Sequence, residues 1–139
     1  MPANTAPIFS KVGDIQWTTV PVVTANTTID LTSGTSYLVF TSDATNGGYV
    51  QKLRIRALGT NVATVMRVWI NNGSTTATVA NNTLFDEISL AASTVSQTSA
   101  LSLYELPLNI ALPAGYKIYV TLGTTVAAGF DVSAIAGKY

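Results

Sequence analysis

The sequence predicts an all-β protein: a jelly-roll-like antiparallel β-sandwich, built as a single domain with an extended N-terminal arm. Three observations lead there. Apolar and polar residues alternate with period two along most of the strand-like segments. Turn signals rich in Gly, Pro, Asn and Asp recur about every eight to twelve residues and mark off roughly eight short strands. No stretch joins a sustained period of about 3.6 residues to helix caps. The 139 residues suffice for one core and are too few for two, and no internal repeat or break in composition divides them.

Residues 1–14 hold Pro2 and Pro7 among small residues, with Ile8, Phe9 and Val12 as their large apolar groups. They read as the arm, docked on its own domain or on a neighbour, because Ile8 and Phe9 would be out of place on a tail that touches nothing. The sandwich domain spans 15–139. Its first strand-like stretch, residues 15–23, contains Pro21, which lacks an amide donor and confines the strand to a sheet edge. Edges invite partners. Short strands at 27–31 and 36–41 flank the turn Thr32-Ser33-Gly34-Thr35, and residues 42–48 form a loop. After the central segment come a weak strand at 75–80, a strand at 84–91 and a polar connection over 92–99. Residues 101–112 make two strand-like pieces interrupted by Pro107. Pro113-Ala114-Gly115 then closes a hairpin, with Pro preset for the turn and Gly where φ > 0 is cheap. Residues 116–122 put Tyr116, Ile118, Val120 and Leu122 on one face. Residues 127–136 alternate Phe130, Val132 and Ala134 with Asp131, Ser133 and Ile135.

The stretch 49–73, YVQKLRIRALGTNVATVMRVWINNG, organises the rest. It reads as two strands joined at Leu58-Gly59-Thr60-Asn61. Pairing Ala57 with Val62 sets Ile55 against Thr64, Leu53 against Met66, Gln51 against Val68 and Tyr49 against Ile70 on an apolar inner face. The outer face then carries Arg56 against Ala63, Arg54 against Val65, Lys52 against Arg67 and Val50 against Trp69. A slip of one residue would reverse every side chain. Greek-key order would instead put the two strands in opposite sheets, where this register fails while each strand keeps its inner and outer sides. Asn71-Asn72-Gly73-Ser74 closes the segment with an Asn-Gly step suited to positive φ.

Composition narrows the function classes. Cys and His are absent, so there is no disulfide, no thiolate metal site and no ordinary nucleophile and base pair. Ser10 with Lys11, or Ser36 with Lys52, has no spacing that singles out a Ser-Lys pair. Asp86 and Glu87 point to opposite sides of a strand and cannot flank one bond; Glu105 with Asp131 is a pair that only the fold can bring together. Asp43 and Asn46 suit an Asx turn better than a Ca²⁺ site, since one carboxylate is thin for a cation that takes about six to eight oxygens. The sequons at Asn26, Asn72 and Asn81 follow from an Asn/Thr-rich composition. No enzyme, cofactor or metal is expected. Charged residues are 10% of the chain and the formal net charge is zero, a surface that favours association and gives nucleic acid a poor electrostatic footprint. The N-terminus lacks the pattern of a secretory signal, and no apolar run of about 18 residues could cross a bilayer. Synthesis and folding are expected in the cytoplasm, without membrane association.

The segments LRIRALGTNVATVMRVWINNG and LPLNIALPAGYKIYVTLGTTVAAGFDV, about half the chain, resemble small β-sandwich proteins of tailed bacteriophages, nearest to the capsid decoration or cement proteins. The resemblance implies a virion component on the capsid exterior, a homo-oligomer, often a trimer, that contacts the major capsid protein and staples the lattice. It transfers no site residue by residue.

The residues themselves supply the candidate interface: Lys52, Arg54, Arg56 and Arg67 on one outer face with Trp69 beside them, and Ile8 and Phe9 on the arm. Lys52 against Arg67 would repel unless Asp86 or Glu87, or a partner's carboxylates, relieve the charge. On the second option Arg54, Arg56 and Arg67 take charge-assisted bonds from a partner and Trp69 anchors it. Replacing Arg54 and Arg67 together by Ser is then expected to leave folding intact and weaken assembly. The alternative is a carbohydrate-binding or adaptor module of a phage tail, fibre or baseplate, where exposed Trp17, Trp69, Tyr49 or Tyr119 stacks on sugar.

Overall fold

Strands with one apolar side must bury that side against a second layer, and this chain supplies both layers itself. In a computed structural model, which describes residues 10–139, nine strands run in order: β1 (Val12–Gly13), β2 (Gln16–Trp17), β3 (Tyr37–Thr41), β4 (Gly48–Ala57), β5 (Thr64–Asn71), β6 (Asn82–Leu90), β7 (Leu103–Leu112), β8 (Lys117–Leu122) and β9 (Phe130–Lys138). One sheet has five strands in the order β1-β9-β4-β7, with β2 also on β9; the other has four, β3-β8-β5-β6. All pairs of named strands are antiparallel. From β2 to β5 each strand changes sheet, which is the jelly-roll way of winding a sandwich. The centre of the core between the layers is apolar, with Phe40, Leu53, Ile55, Met66, Val68, Ile118, Val120, Phe130 and Val132 all at most 1% exposed.

The central hairpin does not form. β4 pairs with β7 and β9, and β5 pairs with β6 and β8, so residues 58–63 carry the chain from one sheet to the other. Alternation fixes which side of a strand is apolar and is silent about its neighbour. The inner sides of Leu53, Ile55, Met66 and Val68 are as expected. A bulge between Val50 and Lys52 shifts the phase, so Val50 is buried and Gln51 exposed, the reverse of the expected pairing. Pro113-Ala114-Gly115 likewise joins β7 to β8 across the sheets and closes no hairpin. Among the described residues the one sequential hairpin is β5–β6, where Gly73 takes φ 91° beyond Asn72.

Other expectations are corrected locally. Residues 27–31 are irregular, and Leu31 holds φ 62°. The weak strand at 75–80 is a turn running into a 3₁₀ turn at Val79–Asn81. Pro107 does not interrupt β7, because β7 is the last strand of its sheet and a missing donor is tolerated there. Of the arm, the described residues 10–14 lie along β9: the Lys11 N–H donates to the Lys138 carbonyl at 2.7 Å and the Asp14 N–H to that of Ala136 at 2.9 Å. Ile8 and Phe9 lie outside the described residues.

The two sides of the sandwich are treated differently. On one, Gln16 of β2 reaches the opposite sheet: its amide donates to the Thr41 carbonyl at 2.8 Å and accepts the Thr41 N–H at 2.9 Å. That side is clasped. On the other, among the described residues, β6 and β7 end their sheets with no strand beyond them.

Candidate functional site

The four cations named from the sequence fall on opposite outer faces. Lys52, Arg54 and Arg56 lie on the outer side of β4, in the five-stranded sheet, while Arg67 lies on the outer side of β5, in the four-stranded one. Lys52 therefore stands beside Ile135 and Pro107, and the expected repulsion with Arg67 does not arise. Acids of the same chain meet three of the four: Lys52 Nζ lies 3.1 Å from Glu105 Oε2, Arg54 Nε 3.6 Å from Glu105 Oε1, and Arg67 Nε 2.8 Å from Glu87 Oε1. Glu87 thus supplies the internal relief foreseen for Arg67. The fourth, Arg56, stands across from Asp131.

Trp69 points outward as the alternation requires, yet only 2% of it is exposed. The loop 24–36 crosses that face: the Asn26 N–H donates to the Leu122 carbonyl of β8 at 2.7 Å, and Asn82 Nδ2 at the start of β6 donates to the Asp30 carbonyl at 3.3 Å. Trp69 sits on β5, between these two anchors, with Nε1 donating to Thr121 Oγ1 at 3.1 Å. An indole strapped down by its own chain cannot anchor a partner, and the cause is a loop about forty residues upstream that alternation cannot foresee.

The register strings that outer face into one apolar row: Leu38 pairs Tyr119, Tyr119 pairs Trp69, and Trp69 pairs Leu84. The strap covers its middle. Leu38 and Leu84 at its ends, Phe85 in the β6 bulge, Ile29 on the strap and Val79 beside Asn82 remain exposed.

The outer face of the five-stranded sheet has a different character. Trp17 pairs Ser133, Ser133 pairs Arg54, and Arg54 pairs Glu105, a row that crosses β2, β9, β4 and β7. Gln16, one residue back, pairs the buried Ala134 and so points inward, which leaves Trp17 outward and 62% exposed. The neighbouring rows are Asp131, Arg56 and Leu103 on one side and Ile135, Lys52 and Pro107 on the other. Beyond Ile135 lies a shallow cavity of about 300 Å³ lined by Ser10, Tyr49, Gln51, Ile135, Ala136 and Gly137. Tyr49 Oη donates to Asn109 Oδ1 at 3.2 Å, which holds its ring at the rim. Neither Ser133 nor Glu105 is recognisable from the sequence as a member of this face, because only the β9-β4-β7 order brings them to Arg54.

The carboxylates named from the sequence do not come together as a pair. Glu105 and Asp131 share a face but stand two strands and two residues apart, on the order of 12 Å, with the β4 cations between them. Paired glycosidase carboxylates work at about 5 to 9.5 Å. Asp43 Oδ1 accepts the N–H of Asn46 at 2.8 Å and of Thr45 at 3.0 Å, bonds that hold its carboxyl below the usual carboxylate range; this is an Asx turn. Among the described residues no three potential metal-ligating side chains gather, and no helix is long and apolar enough to cross a membrane. No protein-family model, curated protein or solved structure matches the chain.

Proposed function

We propose that this chain is a structural protein of a phage virion, a decoration protein that oligomerises on the capsid exterior and stabilises the lattice by non-covalent contacts with the major capsid protein. The observation that carries the reading is the apolar ground around the strap on the four-stranded sheet. Leu38, Ile29, Val79, Leu84 and Phe85 are each at least 37% exposed there. Exposed apolar groups gathered on one side mark a protein contact, and Arg67 with Glu87 supplies a polar rim beside them. The low charge of the chain and the sequence resemblance agree with this role. The docking surface differs from the one the sequence suggested: Arg67 belongs to it, and Arg54 and Arg56 do not.

The test is co-sedimentation with empty capsids of the encoding phage, together with mass measurement of the free chain. Stoichiometric binding is expected, weakened at least tenfold by Leu84→Ser with Phe85→Ser, two exposed positions whose change leaves the core untouched. A native chain that ignores capsids, or a double variant that binds them equally well, overturns the reading.

A further inference from the structure

We infer that the outer face of the five-stranded sheet is a carbohydrate-binding platform for a neutral oligosaccharide, with Trp17 as its stacking surface and Arg54 and Glu105 as its hydrogen-bonding groups. This goes beyond the decorating role and uses the opposite face of the sandwich.

The chemistry of a sugar ring is two-sided: an apolar C–H face and a rim of hydroxyls that both donate and accept. A site for it needs an exposed aromatic plane beside planar polar side chains whose orientation is fixed in advance. Trp17 is the most exposed large apolar side chain of the described residues, at 62%, on a strand held at both ends, by Gln16 to Thr41 and by the Thr18 N–H to Val132. Its position is therefore fixed although its ring is bare. Ser133, Arg54 and Glu105 follow in the same cross-strand row. Four strands at about 4.8 Å spacing give the row a length of about 14 Å, the reach of a short oligosaccharide. Glu105 holds Lys52 at 3.1 Å and Arg54 at 3.6 Å, so the guanidinium and carboxylate are oriented before any ligand arrives. The cavity beyond Ile135, with Gln51 and Tyr49 on its walls, adds room for a branch or a further ring.

Charge selects the ligand class. The three cations of the face stand against two acids, Glu105 and Asp131, each next to a cation. Such a nearly balanced surface offers donors and acceptors without demanding a charged partner, which fits uncharged hydroxyls. A protein partner is disfavoured by the same arrangement: protein interfaces are apolar at the centre and charged at the rim, whereas here Arg54 and Ser133 hold the centre and Trp17 the rim.

Affinity electrophoresis through gels containing dextran, mannan, galactan or alginate tests the inference with the full chain. Retardation by at least one of the three neutral polymers is expected. Trp17→Ala is expected to weaken it at least tenfold and Trp17→Phe by no more than about threefold, with unchanged melting of both variants showing that the fold persists. Four unretarded runs overturn the inference. Retardation of Trp17→Ala equal to the native chain also overturns it. So does retardation by alginate alone that fades in about 0.3 M salt, which marks an ion-exchange surface, and so does a loss of oligomer mass in Trp17→Ala without polysaccharide binding, which marks a protein interface. Capsid co-sedimentation is measured separately, so the decorating role and the sugar platform fail independently.

Discussion

Asn61 is 3% exposed, and its side-chain amide is used on both sides: Nδ2 donates to the Gly129 carbonyl at 3.0 Å, and Oδ1 accepts the N–H of Gly129 at 2.8 Å and of Ala128 at 2.9 Å. Its backbone exchanges two further bonds with Ser93. One residue thus ties the β4–β5 crossover to the β8–β9 loop and to the β6–β7 connection. Truncation to Ala leaves the N–H groups of Ala128 and Gly129 without their partner, while the Gly129 carbonyl keeps only the Leu58 N–H, so Asn61→Ala is expected to lower the unfolding free energy by about 3 kcal/mol in urea melts. Asn72→Ala, which removes an exposed amide bonded to Asn81, is expected to cost no more than about 0.5 kcal/mol. Equal effects for the two would mean that the loop junction is not what holds the crossover. From the sequence, Asn61 reads as the end of a tight turn; its role appears only once β9 is known to run beside β4.

The unclasped side of the sandwich poses the problem of every open sheet, since β6 and β7 present unpaired backbone to solvent. Each carries its own protection. Asp86 pairs Val68, a core residue, and so places a carboxylate on the inward side of an edge strand, next to the bulge that throws Phe85 out of register. Pro107 removes a donor from β7, and Asn109 at φ 50° bends it. The double variant Asp86→Val, Pro107→Val is expected to keep its far-ultraviolet spectrum while growing beyond the native mass in light scattering, by strand addition along the repaired edges. A variant that keeps the native mass would show the edges to be guarded by something else. The same strands mark where legibility stops. Alternation located β4, β5, β8 and β9 and the inward sides of Leu53, Ile55, Met66 and Val68, because burial on one face leaves a local period. The partners of these strands were not legible: Leu58-Gly59-Thr60-Asn61 and Pro113-Ala114-Gly115 have the composition of hairpin turns and serve as corners between sheets. Nor was the burial of Trp69, since the strap over it lies far away in sequence and shows no period of its own.

The sandwich as a whole keeps its two outer faces apart, and this changes what the arginines can do together. Read as one cluster, Arg54 and Arg67 would share a partner and their replacement would act jointly. In the folded chain each points away from the core on its own side, with two sheets about 10 Å apart between them. Arg54 is 45% exposed and shares Glu105 with Lys52, so Arg54→Ser is expected to change stability by no more than about 0.5 kcal/mol. Arg67 is 17% exposed, and its guanidinium is packed beside Gly123, where a Cβ would stand 3.6 Å from its buried Nη1. Arg67→Ser loses that packing along with the bond to Glu87 and is expected to cost about 1 to 2 kcal/mol. Sites this far apart with no common partner add, so the double variant in urea should match the sum of the singles within about 0.5 kcal/mol. On the two proposals the functional readouts are expected to divide in the same way: Arg54→Ser to weaken polysaccharide retardation and leave capsid co-sedimentation unchanged, and Arg67→Ser to do the reverse. A coupling of 1 kcal/mol or more, or a single variant that abolishes both activities, would mean that the two faces communicate through the core and that their separation is not what organises the molecule.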